Sequence, residues 1–443
     1  MADVRTLIAA VTSMFTESEL DSLNEAERDG PLSWTGYGES LARARKRTGE
    51  TESVLCGTGK IGDTAAVIVA FDFRFLGGSI GVATGDRIVR AFGQAIRSRL
   101  PVVSLIATGG SRLQEGMLSL SQLQRIAARC AELRERGLPH VAVLRDPTTG
   151  GVWASLGAGA DVVIGVTGAQ VGFAGSRVRP ASYLGDSAYT AEGQLAAGQV
   201  DEVVTEPDLP GVLAAWLALL PVDRPAPRHA PVPRALGDLA PAADGWAAVG
   251  RARSAARPRA LAYLEDYFDV RRSISGDRAG GVDPGMLCGI GRRDGRLVAY
   301  AAQAGTATTP AGFRTATRLI RLAERLNLPV LTLVDTPGAA ADPESERNGL
   351  APAIAELFAA VARATVPITT LVIGEGGSGG ALALAAPDHT WITPDAYFSV
   401  IAPELAAAIL KRDSAQVPAT AEQLRLRPQD LVDLRVVRGI AGP

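Results

Sequence analysis

Four stretches of the chain share one pattern. Each is a run of apolar and β-branched residues, followed by glycine and small polar residues, then by small apolar ones. "LPVVSLIATGGS" starts at Leu100 and "LPVLTLVDTPGA" at Leu328. "LPHVAVLRDPTTGGVWASL" follows from Leu138, and "VPITTLVIGEGGSGGALAL" from Val366 at the same spacing. A later pair, "GADVVIGVTGAQVGFAG" and "APDHTWITPDAYFSVIAP", keeps the register. The runs read as buried strands. The segment before Leu328, "AGFRTATRLIRLAERLN", places Phe313, Ala316, Leu319, Ile320, Ala323 and Leu326 on one helical face. The chain is therefore an internal duplication of strand, turn and helix. It predicts an α/β layered protein with short right-handed crossovers.

"PVDRPAPRHAPVPRALGDLAPAA", Pro221 to Ala243, is dense in Pro and Ala and lacks periodicity. It reads as a semi-rigid linker. The expected boundaries are an N-terminal helical segment over 1–50, a first domain over 51–220, the linker over 221–243 and a second domain over 244–443. The opening "MADVRTLIAAVTSMFTESELDSL" has acidic flanks and no basic lead-in, so it reads as an amphipathic helix rather than a signal peptide.

Composition narrows the classes. A net charge of −2 argues against a general nucleic-acid or membrane-surface binder. No apolar run reaches spanning length without a charge or a breaker. Cys56, Cys130 and Cys288 are far apart and form no CxxC pair, which disfavours a zinc ribbon or disulfide scaffold and fits a reducing, cytoplasmic location. No metal site is expected from ligand spacing.

Phosphate chemistry finds little support. "CGTGKIGDT" has Ile61 after Gly59-Lys60 and Val54 where a P-loop needs its first glycine. "DTPG" at Asp335 resembles a GTPase switch only in isolation. No GxSxG elbow occurs, and His140, His229 and His389 have no Ser or Cys partner in sequence; His229 lies in the Pro-rich linker, and for His140 and His389, in or beside a strand, a structural histidine is the better reading. Backbone chemistry remains. A strand-to-helix turn aims unpaired N–H groups at one spot, and glycine lets a ligand approach them. Two such donors form an oxyanion hole. Gly109 and Gly110 are the candidates in the first half, Gly338 and Ala339 in the second, where Pro337 lies opposite Gly109 and has no N–H. The plainer reading is that these glycines only permit tight turns. Arg314, Arg318, Arg321 and Arg325 form a helical stripe, read as a solvated face before a contact for phosphates or a carrier protein.

These residues carry a family resemblance. "FDFRFLGGSIGVATGDRIVRAF", "ATGGSRLQEG", "LRERGLPHVAVLRDPTTGGVWAS" and "VGFAGSRV" resemble the β subunit of bacterial acetyl-CoA carboxylase carboxyltransferase. "GDRAGG", "ATTPAGFRTATRLIRLAERLNLPVLTLVDTPGA", "VIGEGGSGGALALA" and "FSVIAPELAAAIL" resemble its α subunit. The likeness covers about residues 50–205 and 245–412. It implies two crotonase-like (ClpP/crotonase) β–β–α spiral domains in tandem. It further implies transfer of a carboxyl group from carboxybiotin to the α-carbon of a short acyl-CoA such as acetyl-CoA. No side chain need act as base there: the ureido nitrogen of the decarboxylated biotin takes the α-proton, and the enolate attacks CO2. The enolate oxygen and the ureido oxygen both develop charge, hence two oxyanion holes. By resemblance Gly109 and Gly110 face the thioester, with Gly77, Gly78, Ser79, Ser111, Arg112, Gly150, Gly151 and Gly175 around the substrate. Gly338 and Ala339 face biotin, with Gly376, Gly377, Gly379 and Gly380 shaping the wall.

The implied partners are a biotin carboxyl carrier protein, a biotin carboxylase and an acyl-CoA, with a homodimer or higher homo-oligomer whose site joins the β-like half of one subunit to the α-like half of another. No Met-Lys-Met is present, so biotin is expected on a separate carrier. The sequence departs from the family in three places: it has no four-cysteine ribbon, "RPASYLGDSAYTAEGQ" follows "FAGSRV", and Ala340-Ala341 replace a Tyr-Pro. These departures keep open a biotin-independent decarboxylase or acyl/carboxyl transferase acting on a malonyl-type thioester of CoA or acyl carrier protein, as in secondary metabolism. A non-catalytic scaffold that binds acyl-CoA or a carrier is the third reading.

Overall fold

The computed structural model describes residues 3–18, 29–223 and 225–443. The chain divides into two compact units, Met1–Arg224 and Pro225–Pro443.

The first unit is built on one sheet of β1 (Ser13–Glu17), β2 (Val54–Ile61), β3 (Thr64–Phe71), β4 (Val102–Thr108), β5 (His140–Thr149), β6 (Val162–Val166) and β8 (Glu202–Val204), hydrogen-bonded in that order, with β7 (Val171–Gly172) paired to β5. Strands β1 to β3 are antiparallel. From β3 onward every pairing is parallel. Parallel neighbours need crossovers, and the helices Val82–Ser98 and Gly116–Glu135 supply them.

The second unit repeats the plan. Its sheet runs β14 (Thr390–Ile392), β13 (Ile368–Gly377), β12 (Val330–Thr336), β11 (Arg296–Gln303), β10 (Met286–Arg293), β9 (Val270–Ile274), and β15 (Tyr397–Ser399) pairs with β13. Strands β4 and β12 are buried at every position, as mostly apolar and β-branched runs in a parallel sheet covered on both faces are. Both shift register at the same place, between Ile106 and Thr108 and between Val334 and Thr336. The duplication therefore extends to a backbone irregularity just before each turn. This is the β–β–α spiral expected from the sequence, built twice.

The predicted helical face holds. The helix Pro310–Arg325 buries Phe313, Ala316, Leu319, Ile320 and Ala323. The arginine stripe on its other side is used within the unit: Arg314 pairs with buried Asp277 at 2.6 Å, Arg318 donates to the carbonyls of Ser275 and Gly276, and Arg321 pairs with Glu356. At the N-terminus the helix ends at Val11, and residues 13–17 join the sheet as β1 instead of continuing it. Thr12 is extended, and its N–H closes the helix on the Ile8 carbonyl. Residues 19–28 of the proposed helical segment lie outside the described residues.

The described residues of the Pro/Ala-rich stretch form no helix or strand, and from residue 225 the stretch packs within the second unit. Ala230 is buried and accepts from Thr369 Oγ1, the Ala235 N–H donates to the Gly442 carbonyl, and the Leu236 N–H donates to the Tyr263 hydroxyl. Proline-rich chain has few N–H groups to satisfy, so an extended strap needs few partners.

Asp335, the residue of the switch-like "DTPG", is fully buried. It pairs with Arg257 at 2.6 Å and Arg259 at 3.2 Å and accepts the Glu375 N–H at 3.1 Å. Asp335→Ala strands the Arg257 charge in the interior and is expected to destabilise by about 3–5 kcal/mol, read by chemical denaturation. His140 is also structural. It sits between Ser104, whose Oγ lies 2.9 Å from Nε2, and the edge of the Phe92 ring. Burial pushes its imidazole down to about 4. Its pKa is lower folded than unfolded, where it is about 6.5, so the contribution is full above that pH and lost as pH falls toward 4. His140→Gln should flatten that limb of the stability–pH profile.

Candidate active site

The site is built from the turn that ends β4 and the turn that ends β5. After Thr108 the chain reverses through Gly109 and Gly110 (φ 108°). The Gly109 N–H donates to the Gly77 carbonyl at 2.8 Å, and the Gly110 N–H to Thr108 Oγ1 at 3.0 Å. Ile80 then clamps the turn. Its N–H bonds the Gly110 carbonyl at 2.9 Å, and its carbonyl takes the Arg112 N–H at 2.8 Å. Because Ile80 bonds the residues on both sides of Ser111, the N–H of Ser111 itself points away from Ile80.

The second turn follows Thr149. Gly150 (φ 75°) donates to the carbonyls of Gly172 and Phe173, and Gly151 opens a short helical stretch. The first N–H groups of a helical turn have no intrahelical partner. The two turns touch: a Cβ on Gly150 would lie 3.2 Å from the Gly110 Cα. Gly78 (φ 62°) is required for the same reason, since its Cβ would fall 2.1 Å from the Ala107 carbonyl oxygen. Gly175 approaches the second turn, its Cβ position 3.4 Å from Thr149 Oγ1.

The second unit reproduces this geometry. Gly338 (φ 143°) donates to Thr336 Oγ1 at 3.1 Å. Thr308 takes the place of Ile80: its N–H bonds the Gly338 carbonyl at 3.0 Å, and its carbonyl takes the Ala340 N–H at 2.9 Å. The N–H of Ala339 points away from Thr308, as that of Ser111 does from Ile80. The turn after β13 packs against it. A Cβ on Gly377 would meet the Pro337 oxygen at 2.0 Å, and one on Gly380 the Ala339 nitrogen at 2.4 Å. Gly376 abuts the Phe398 ring. Ser378, a non-glycine at φ 55°, stands where the first unit has Gly150. Gly379 differs from the rest, since no atom lies within 4 Å of where its Cβ would be. Packing does not explain that glycine.

The expected residues thus gather into two groups, one per unit. Three of the four expected donors already bond within the fold, Gly110 and Gly338 to a threonine of their own turn and Gly109 to the Gly77 carbonyl of another loop; Ala339 does not donate to its clamp. The sequence held a clue. Pro337 occupies the register position of Gly109, so that position donates in only one half, whereas Ser111 and Ala339 match and both have an N–H.

Arg112 lies beneath the first turn, not on its open side. It is 2% exposed. Its guanidinium pairs with Glu52 at 2.5 Å and Glu115 at 3.3 Å and bonds the Tyr37 hydroxyl at 3.1 Å and the Ser79 carbonyl at 2.8 Å. Ser79 therefore serves this anchor. Glu115 also accepts from Tyr37 and from the N–H of Val82, tying the turn to the helices Tyr37–Thr48 and Val82–Ser98. Burial alone would raise the Glu52 carboxyl, but the charge and hydrogen bonds of Arg112 outweigh it and hold the pKa below the usual range. The ion pair is thus charged at neutral pH. Tyr37 and Glu52 were not singled out in the sequence, because Arg112 is distant along the chain from both; Glu115 lies only three residues from Arg112, but its bonds to Tyr37 and Val82 are long-range.

Side-chain nucleophiles find no support. Burial pushes all three thiols up to about 12, so none is a thiolate near neutral pH. Among the described residues no three His, Cys, Asp or Glu side chains gather to hold a metal ion, and no helix is long and apolar enough to cross a membrane.

Arg112→Met leaves Glu52 and Glu115 buried without their cation. A loss of about 3–5 kcal/mol is expected, measured by thermal or urea unfolding. Glu52→Gln should remove stability that is present above the unfolded carboxyl pKa of about 4.3 and is lost as pH falls through the lower folded value.

Comparison with known proteins fits this geometry. Residues 239–442 match the family model described as acetyl co-enzyme A carboxylase carboxyltransferase-like. The chain is 41% identical to a protein of Salinispora arenicola named acetyl-coenzyme A carboxylase carboxyl transferase subunits beta/alpha, over 95% of this chain and 78% of the relative. It is 34% identical to a Mycobacterium bovis protein named probable biotin-dependent acyl-coenzyme A carboxylase beta3 subunit, over 90% of this chain and 82% of the relative. In fold it resembles transcarboxylase 12S, with a TM-score of 0.81 at 22% identity over 100% of this chain and 87% of that one. A likeness over nearly the full length at this identity, together with the duplicated turns, assigns the chain to the acetyl-CoA carboxylase carboxyltransferase family.

Proposed function

We propose that this protein is the carboxyltransferase component of a biotin-dependent acyl-CoA carboxylase, and that it carboxylates a short acyl-CoA such as acetyl-CoA to malonyl-CoA. The observation that carries the reading is the pair of matched turns. Each unit has, on one turn, a backbone N–H that points away from its clamp and, on the turn packed against it, an N–H in the first turn of a short helical stretch: Ser111 and Gly151 in the first unit, Ala339 and Gly379, second residue of the helix Ser378–Leu382, in the second. Charge that develops on an oxygen is best held by such fixed donors, and removing one donor typically costs about 10²–10³ in rate.

In this reading Ser111 and Gly151 hold the thioester oxygen as the α-carbon loses its proton and the oxygen becomes an enolate. Gly110 and Gly150, lacking side chains, let the thioester carbonyl come close. Ala339 and Gly379 hold the ureido oxygen of biotin. The open space at Gly379 fits a flat carbonyl group that must reach the backbone. Carboxybiotin, brought on a carrier protein charged by a biotin carboxylase, would supply the carboxyl group and the proton acceptor. The chain itself supplies position and charge stabilisation. A homo-oligomer that brings a first-unit turn to a second-unit turn is part of the proposal.

The test is carboxyl transfer by the purified protein with acetyl-CoA and other short acyl-CoAs, given carboxybiotin or a charged carrier. No turnover with any of them would overturn it. CO2 release from malonyl-CoA without biotin would instead favour the decarboxylase reading. Gly379→Ala is a sharper probe. Its methyl meets nothing in the fold, so the thermal midpoint should hold within a degree or two, while transfer to biotin drops at least tenfold.

A further inference from the structure

The two units differ at a pair of buried positions behind the turns. In the sheet register that matches β3–β4 with β11–β12, the last residue of β3 is Phe71 and that of β11 is Gln303. The residue that clamps the turn is Ile80 in the first unit and Thr308 in the second. All four are buried. The first unit is apolar at both positions, and the second is polar at both.

The Gln303 amide is fully used on one side only. Its Nε2 donates to Thr308 Oγ1 at 3.1 Å and to the Gly380 carbonyl at 3.0 Å. Its Oε1 has no hydrogen-bond partner. Turning the amide over would place an oxygen against the Gly380 carbonyl, so the assigned orientation is the one that makes bonds. Thr308 in turn holds the Gly338 carbonyl and the Ala340 N–H, the residues either side of Ala339. One side chain thus links the segment that carries Ala339 to the short helix that carries Gly379.

A buried amide with an unsatisfied oxygen costs more than the apolar residue the first unit uses at the matching place. The fold does not need it, since the same spiral forms around Phe71. What the amide adds is a fixed distance between two backbone segments. We infer that Gln303 is a positioning residue that sets the separation of the Ala339 and Gly379 N–H groups and so tunes the second unit for a planar, ureido-type carbonyl oxygen. The inference rests on the proposed function, in which those two donors face biotin. Phe71 and Ile80 make no such tie in the first unit, where Thr149 Oγ1 instead joins the two strand ends by donating to the Thr108 carbonyl at 3.2 Å.

The test compares Gln303→Leu and Gln303→Glu with wild type, using free biotin as acceptor and malonyl-CoA as donor. In Gln303→Leu, kcat/KM for biotin should fall tenfold or more, KM for malonyl-CoA should stay within twofold, and the thermal midpoint should hold or rise. In Gln303→Glu the protonated acid still donates one bond, while the carboxylate donates none and repels the Gly380 carbonyl. Burial raises such a carboxyl pKa, so activity should decline as pH rises through it, a limb absent from wild type and from Gln303→Leu. Gln303→Leu with wild-type kcat/KM for biotin overturns the inference. So does an equal loss for both substrates with a lowered thermal midpoint, which marks a purely structural role. Hydrogen–deuterium exchange separates this inference from the functional reading. Faster exchange at residues 338–340 and 379–380 in Gln303→Leu supports positioning even if wild type proves inactive with biotin, and unchanged exchange overturns it.

Discussion

Everything in this protein depends on two pieces of backbone lying against each other with nothing between them. The turn after the second parallel strand of each spiral must meet the turn after the third. Gly110 touches Gly150, and Pro337 and Gly338 meet Gly377 and Gly380, at separations a single methyl would spoil. A site made of N–H groups needs this. Side chains reach into a site from outside, whereas backbone donors must be brought there by the chain. Glycine is the only residue that permits both the left-handed turn and the contact.

Turns this bare do not hold themselves. Their positions come from buried charge behind them, and the two units use different sets. In the first, Arg112 is fixed by Glu52, Glu115 and Tyr37, which draws three separate parts of the chain under one turn. In the second, Asp335 on β12 is held by Arg257 and Arg259 and takes the N–H of Glu375 on β13, locking the two strands that carry the turns. Buried ion pairs contribute little to net stability against apolar packing, but they are costly to break. That asymmetry suits a scaffold whose task is to keep one geometry. The Gln303–Thr308 tie extends the same idea into the turn itself.

The departures from the family sequence fall on the surface of this plan. The segment 179–194 contributes two short turns and the start of the helix Ala191–Ala196, with Tyr183 and Leu184 exposed. Ala340 closes the Thr308 clamp through its N–H, and exposed Ala341 follows it.

Much of this was legible in order along the chain. Runs rich in apolar and β-branched residues, ended by glycine, marked β4, β5, β12 and β13, because a parallel strand buried on both faces has no solvent side to impose polar alternation. Equal spacing from Leu100 and from Leu328 exposed the duplication, and the helix before Leu328 declared its face through periodicity. The glycine positions also located both turns. What the residues could not state was which N–H groups remain unspent. Gly109 looked like a donor until Gly77, from a different loop, was seen to accept its bond. Arg112 looked like a ligand until Glu52 and Tyr37, far away in sequence, were seen to surround it. Hydrogen-bond partners of this kind are set by which segments the fold brings together. The sequence by itself determined the repeated strand, turn and helix and the places where backbone lies bare; only the tertiary structure decided which of those N–H groups are already bonded, because their partners come from segments distant along the chain.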